Sequence, residues 1–340
     1  MECLTNLVLL KAINMSSSRI DVHHHVLPKF YKDAQRAVGI TKTAYREFPE
    51  WTPQHSLCLM DAEKISIALL SFTSPGIYFG DITKTKELAH RCNDYLAQLS
   101  VDHPDRFGGF AFLPLPDIDA SLREIERVLD ELKLDGFALL TSVNQKYIGH
   151  PDFEPIYAQI NRRKAAVFIH PCYPPGAEAQ GWNIPRMIID YPFETTRVAT
   201  NLIFNGVMER MPEIRFILSH SGGTLPFLAH RIAIFDKKTN FQDKYPKGAL
   251  EYIQQFYFDT ALSGDPFVLK GLSSVVDDSH ILFGSDYPYV SEDVVRQETA
   301  SLDACNEFNT PTLARINHKN AAKIFPRVGN SEATSDKKLA

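Results

Sequence analysis

The chain has 340 residues, 44% of them hydrophobic and 23% charged, the make-up of an ordinary globular protein. A formal net charge of −5 and a pI near 6.2 provide no basic field, which argues against nucleic acid and anionic membranes as partners. No apolar run reaches bilayer length, and five scattered cysteines (Cys3, Cys58, Cys92, Cys172, Cys305) with no C-x-x-C pair suit a reduced cytosolic protein rather than a disulfide framework.

Residues 1–18, with the short apolar Leu7–Leu10 behind Glu2 and a second methionine at Met15, read as a poorly ordered extension. Residues 329–340 read as a frayed tail, leaving 19–328 as a single domain. The domain opens with Ile20 running into Asp21-Val22-His23-His24-His25. Side chains alternate faces along a strand, so His23 and His25 point one way, about 6–7 Å apart, and His24 points the other. A long irregular passage to Glu50 follows, carrying Tyr31, Tyr45, Arg46 and Phe48; its length marks a functional loop. A short helix is expected over Pro53–Glu63, then a strand over Ile65–Phe72 and a helix over Thr83–Asp102 with an apolar stripe at Leu88, Cys92, Tyr95, Leu96 and Leu99.

The alternation goes on with strand Phe107–Phe112, helix Ala120–Leu132, strand Gly136–Leu140, helix Phe153–Arg163 and strand Ala166–Ile169, which ends in His170-Pro171. A second irregular segment, rich in Pro and Gly, covers Cys172–Tyr191. Helix Thr195–Met211 then leads to strand Ile214–Leu218 and Ser219-His220-Ser221-Gly222-Gly223. Helix Thr224–Phe235, strand Phe256–Phe258, helix Pro266–Val276 and strand Ile281–Phe283 follow, before Gly284-Ser285-Asp286 and closing helices over Glu292–Leu302 and Pro311–Ile324. Eight short apolar strands alternating with helices predict an α/β fold, a (β/α)8 TIM barrel with inserted loops after strands 1 and 5. The alternative is a doubly wound sheet with a second domain.

In a barrel the C-terminal strand ends share one rim, where active sites are built. His23 and His25, His170, His220 and Asp286 all fall at such ends. Imidazoles and a carboxylate are typical ligands of Zn²⁺ or Mn²⁺. A two-metal site would need a bridging group such as a modified lysine on a middle strand. Gly136–Thr141 contains none, and Lys133 precedes the strand at the wrong end, so one divalent ion is expected, Zn²⁺ first and Mn²⁺ as the alternative.

Five segments together carry a family resemblance: Asp21–His25, Val167–Pro171, Tyr191–Thr196, Leu218–Gly223 and Ile281–Pro288. From about Ile20 to Phe325 the chain resembles the metal-dependent decarboxylase branch of the amidohydrolase superfamily, which includes aminocarboxymuconate-semialdehyde decarboxylase and the salicylate- and resorcylate-type decarboxylases. Within that branch it most resembles the fungal 6-methylsalicylate decarboxylases, which make 3-methylphenol in polyketide secondary metabolism. The resemblance implies that His23, His25, His170 and Asp286 hold the metal and that His220 is a catalytic group beside it. It also implies that Arg46 binds a substrate carboxylate and that Arg231 reaches a neighbouring subunit's site, in a homodimer or higher homo-oligomer. Resorcylate-type members often carry Glu at the position of His23. Asp21 and His24 are expected to orient the strand end.

The expected reaction is non-oxidative decarboxylation of an ortho-hydroxybenzoate. The ring carbon that bears the carboxylate is protonated before CO₂ leaves. Asp286 is the expected proton donor, which needs a raised pKa. The competing assignment makes metal-bound water the proton source with His220 as its base. Aromatic pocket walls are sought in Tyr31, Phe48, Trp51, Trp182, Phe193 and Tyr287. A metal-dependent hydrolase or lactonase on the same scaffold is the second reading.

Overall fold

The computed structural model describes residues 18–43, 47–176, 184–236 and 242–329. The strands are β1 (Arg19–His25), β2 (Ile65–Ser71), β3 (Phe107–Phe112), β4 (Gly136–Leu140), a small hairpin of β5 (Ser142–Val143) and β6 (Lys146–Tyr147), then β7 (Ala166–His170), β8 (Arg215–Leu218), β9 (Tyr257–Asp259) and β10 (Ile281–Leu282). All but the hairpin lie in one parallel sheet of order β1-β2-β3-β4-β7-β8-β9-β10 that nearly closes into a barrel. This is the predicted architecture, and the eight strands lie where the apolar runs placed them.

The first helices are α1 (Lys29–Arg36) and α2 (Pro53–Ala62) after β1, α3 (Ile82–Asp102) after β2, α4 (Ile118–Arg127) after β3 and α5 (Glu154–Arg162) after the hairpin. Next come α6 (Asp190–Phe204) and α7 (Val207–Arg210) after β7, α8 (Leu225–Asp236) and α9 (Ala249–Ile253) after β8, and α10 (Pro266–Ser273) after β9. The chain then continues through α11 (Glu292–Asp303), α12 (Thr310–Ala314), α13 (Asn320–Ile324) and α14 (Pro326–Gly329). Side-chain caps set several starts: Thr52, Asp81, Asp117, Asp265, Ser291 and Asn309 each accept a hydrogen bond from the first turn that follows. No helix among the described residues is long and apolar enough to cross a membrane.

Two expectations need correction. The passage after His25 is not irregular throughout, because α1 occupies Lys29–Arg36. Its buried face is Tyr31, Lys32 and Gln35, so two polar residue types hide the periodicity. The helix expected over Thr195–Met211 instead runs from Asp190 to Phe204 and stops before Gly206, whose φ of +72° starts the separate turn of α7.

The barrel interior is aromatic beneath the rim. The Phe110 and Phe168 rings stack 5.6 Å apart, Phe325 meets Phe110 at 5.5 Å, and His23 rests edge-on against Phe168 at 4.9 Å. Backbone bonds join the two end strands: Val22 N–H to Phe283 C=O (3.0 Å), Asp286 N–H to His23 C=O (2.7 Å) and His25 N–H to Tyr287 C=O (2.7 Å). The fully buried Asp21 carboxylate locks this seam. It accepts from the His23 N–H (3.0 Å), the Ser285 N–H (3.1 Å) and the Ser285 hydroxyl (2.5 Å), and it faces His24 Nδ1 at 3.0 Å. Gly284 allows the close approach, since a Cβ there would stand 2.8 Å from the His23 Cβ. His24 turns away from the barrel axis toward Ser56 on α2, as alternation requires.

Replacing Asp21 by Ala leaves several buried donors without an acceptor, so stability is expected to fall by roughly 3–5 kcal/mol. The denaturant midpoint of the metal-free protein measures this, and an unchanged midpoint would remove Asp21 from the seam.

Candidate metal centre and active site

The C-terminal ends of four strands supply the site. His23 and His25 lie on β1, His170 ends β7, His220 follows β8 in a single tight turn, and Asp286 follows β10. One donor atom from each of His23, His25, His170 and Asp286 lies within 4.8 Å of the others, and all four residues are buried. His23 Nε2 stands 3.0 Å from His25 Nε2 and 3.3 Å from an Asp286 carboxylate oxygen, which is itself 3.1 Å from His25 Nε2. Donors bound to one tetrahedral ion stand about 3.3 Å apart.

Each imidazole has its other nitrogen engaged. His23 Nδ1 meets Asp259 Oδ2 at 2.8 Å, His25 Nδ1 meets the Ser71 hydroxyl at 2.9 Å, and His170 Nδ1 lies 2.8 Å from both the Thr73 hydroxyl and the Pro171 carbonyl. The three Nε2 atoms are thereby aimed inward. Partners of this kind orient histidines around a metal, and the donor set fits one divalent ion.

His220 stands beside this group with Nε2 3.4 Å from Asp286 Oδ2, and its backbone N–H donates to Asp259 Oδ1 at 2.9 Å. His220 Nδ1 is buried and has no hydrogen-bond partner among the described residues. The backbone is strained here: His220 (φ +54°), Ser221 (φ +53°) and Asp286 (φ +59°) all occupy the left-handed region without being glycine. Such conformations persist only where the surrounding structure imposes them. Gly223 takes the chain out of the turn where a Cβ would collide with the Pro192 carbonyl at 2.0 Å.

Electrostatics divide the cluster. Burial pushes the His23 imidazole down, but the Asp259 and Asp286 carboxylates outweigh it and raise its pKa to about 10. Burial and the neighbouring His23 charge lower His25 to about 4 against the opposing hydrogen bond from Asp286. His170 falls well below the ordinary imidazole value through burial and the charges on His25 and His23. For Asp286, burial raises the pKa, but His23 and the hydrogen bonds from His220, His23 and His25 hold it well below the carboxylate range. The raised Asp286 pKa expected of a standing acid is therefore not what the surroundings produce: in the metal-free chain Asp286 is a carboxylate neutralised by His23.

The other expected residues that are described do not join this group. Arg46 lies outside the described residues, as do Tyr45 and Trp182. Arg231 is exposed on α8, its guanidinium over the Phe235 ring. Tyr31 donates to the Thr73 and Gly76 carbonyls, Phe48 and Trp51 are core, Phe193 faces outward, and Tyr287 packs on His24. Among the described residues, the tyrosine rings that touch the cluster are Tyr289 against His25 (5.4 Å) and Tyr191 against His170 (6.0 Å), in addition to Phe168 against His23. Asp259 and Thr73 escaped the sequence reading. Asp259 ends β9 and could have been found by the same strand-end rule had that strand been carried one residue past Phe258.

Because His23 carries a proton in the metal-free chain, binding of Zn²⁺ or Mn²⁺ is expected to release about one proton near neutral pH. Affinity should rise with pH, about tenfold per unit, until His23 is neutral near pH 10. Calorimetry in buffers of different ionisation enthalpy counts the proton; no release would contradict a charged His23.

Residues 20–327 match the Amidohydrolase family. A decarboxylase of Aspergillus niger is 38% identical, the match covering 91% of this chain and 88% of that protein. The 6-methylsalicylic acid decarboxylase of Penicillium expansum is 36% identical, with 92% and 97% covered. Among solved structures, a dihydroxybenzoic acid decarboxylase from Polaromonas with bound manganese and 2-nitroresorcinol superposes with a TM-score of 0.79 at 22% identity, covering 91% of this chain and 97% of that one. The chain belongs to the amidohydrolase family, and the relatives it groups with are carboxy-lyases.

Proposed function

We propose that this protein is a metal-dependent carboxy-lyase that converts 6-methylsalicylate into 3-methylphenol and CO₂ without a redox step. The observation that carries the reading is the convergence of His23, His25, His170 and Asp286 beside a buried His220, in a chain whose relatives of 36–38% identity are decarboxylases. One divalent ion, Zn²⁺ or Mn²⁺, would be held by those four residues and would supply Lewis acidity toward the carboxylate and phenol oxygens of the substrate. The manganese of the Polaromonas neighbour supports the second ion.

The chain's own task is to handle one proton. The phenolic oxygen pushes electrons toward the ring carbon that bears the carboxylate, a proton adds there, and the C–C electron pair returns to the ring as CO₂ departs. His220 Nε2 faces Asp286 Oδ2 at 3.4 Å, so the proton passes from His220 to Asp286 and on to the ring. In this step Asp286 relays the proton rather than storing it. Tyr289 and Tyr191, packed on the histidines, wall the ring.

In heavy water the enzyme should place one deuterium on the former carboxyl-bearing carbon as it releases CO₂; retention of the carboxylate would point to the hydrolase instead. His220→Asn should lower kcat by about 10²–10⁴-fold with metal content unchanged. Loss of metal in that variant would remove His220 from proton transfer.

The protein is further proposed to act as a homodimer through the face of α6 and α8, where Phe193, Phe227, Ile234 and Phe235 are exposed by 42–87% around Arg231. Arg231 then serves the partner's site. Sedimentation should give a dimer. Mixing inactive Arg231→Ala and Asp286→Asn proteins should restore up to about a quarter of wild-type activity through hybrid dimers; an active monomer would defeat the shared site.

A further inference from the structure

Asp259 ends β9, between β8, which leads into His220, and β10, which leads into Asp286. It is fully buried, and both of its carboxylate oxygens are engaged. Oδ2 meets His23 Nδ1 at 2.8 Å. Oδ1 accepts from the backbone N–H of His220 at 2.9 Å and from that of Ala261 at 3.0 Å. The Asp259 carbonyl also accepts from the Ser221 hydroxyl at 3.3 Å, so the tight turn after β8 is tied to this residue twice. Gly284 leaves the space in which the contact with His23 forms, since a Cβ there would stand 2.8 Å from the His23 Cβ and 3.1 Å from the Asp259 Cβ.

These contacts are chemically selective. A neutral imidazole offers one lone pair, and His23 turns it inward at Nε2 only while Nδ1 keeps its hydrogen. A carboxylate has no hydrogen to donate, so beside Nδ1 it admits the N–H and refuses the lone pair. By contrast, the Ser71 hydroxyl beside His25 Nδ1 serves either form of the ring. On its other oxygen Asp259 faces two backbone N–H groups, which are donors only. No neutral side chain of the same shape meets both demands, because an amide has one accepting oxygen and one donating nitrogen.

We propose that Asp259 is the positioning residue of this centre. Its carboxylate keeps the hydrogen of His23 on Nδ1, which leaves Nε2 for the metal, and it holds the His220 backbone where the imidazole faces Asp286. Metal binding and proton delivery then depend on one side chain that takes no part in the chemistry itself. The consequence for catalysis rests on the decarboxylase reading, whereas the placing of His23 and of the His220 backbone does not.

The test is Asp259→Asn, which keeps the shape and removes one acceptor. With its oxygen toward the His220 and Ala261 N–H groups, the amide nitrogen meets His23 Nδ1 and draws the ring into the form with hydrogen on Nε2. Turned over, the amide satisfies His23 and sets its NH₂ against two N–H groups. Calorimetry is expected to show Zn²⁺ affinity falling by about 10–100-fold. At saturating Zn²⁺, which forces the amide over, CO₂ release from 6-methylsalicylate should lose at least about tenfold in kcat with KM little changed. Magnetic resonance of Zn²⁺-loaded wild-type protein carrying isotope-labelled histidine should show His23 protonated at Nδ1 and the His220 backbone amide proton moved downfield by its charged acceptor. In the variant that amide signal should move back. Zn²⁺ affinity within about twofold of wild type, or a His23 Nδ1 without hydrogen in the wild type, overturns the proposal for His23. An unchanged kcat at saturating Zn²⁺, an amide signal that stays in place, or one that is not downfield in the wild type overturns it for His220. The wild-type spectrum decides even where the variant fails to fold. Where wild-type protein releases no CO₂ from 6-methylsalicylate, the decarboxylase reading fails instead, and affinity and spectra judge Asp259 by themselves.

Discussion

The Asp21 carboxylate sits where the first and last strands of the barrel meet, and its hydrogen bonds fix both the closure and the site. Its two oxygens receive the His23 backbone N–H together with the N–H and hydroxyl of Ser285. Those bonds set the height of β1 against the segment after β10, and so bring Asp286 to the Nε2 atoms of His23 and His25. A buried carboxylate is costly unless its oxygens are satisfied. Here the satisfaction is local to the seam, so closing the barrel and assembling three of the four candidate ligands happen through one set of contacts.

Asp259 plays the matching part on the other side of Gly284. One of its oxygens faces His23 Nδ1, and the other accepts from the backbone of His220 and from Ala261. A single side chain thus relates a candidate ligand to the proposed proton carrier. Left-handed backbone is uncommon for any residue but glycine, although His and Asp adopt it more readily than most, and at His220 and Asp286 it is supported by such bonds. Rigid support of this kind is what a reaction needing sub-ångström proton geometry requires.

Much of this was legible in the sequence because apolar strands ending in a polar residue are a strong signal once eight of them share a rim. His23, His25, His170, His220 and Asp286 were all accessible that way. Their orienting partners were less so. Ser71 and Thr73 are ordinary residues in or just past a strand, and nothing in their type marks them as hydrogen-bonding a histidine nearly a hundred residues away, as Thr73 does for His170. The direction of the Asp286 pKa was illegible for the same reason, since it follows from the three imidazoles around it and not from the residue itself. Helix α1 was hidden by the polar residues Lys32 and Gln35 on its buried face. Which aromatic residues border the site was not legible, because an aromatic residue in sequence does not say whether it packs inward, as Tyr31 does, or toward the rim, as Tyr289 does.

Charge balance ties these elements to the proposed reaction. Two buried carboxylates, Asp259 and Asp286, face one another across His23, and the metal-free chain answers them by keeping a proton on that imidazole. A divalent ion, if held by the four candidate ligands, would match both carboxylates in charge and would leave the centre close to neutral. An aromatic carboxylate entering such a place brings an uncompensated negative charge into surroundings of low polarity, where charge is disfavoured. Decarboxylation takes up one proton and releases two neutral molecules, so the charge disappears as the C–C bond breaks. The same surroundings that would disfavour the bound acid would favour its products, so that the part proposed for His220 and Asp286 is only to bring the proton to the right carbon.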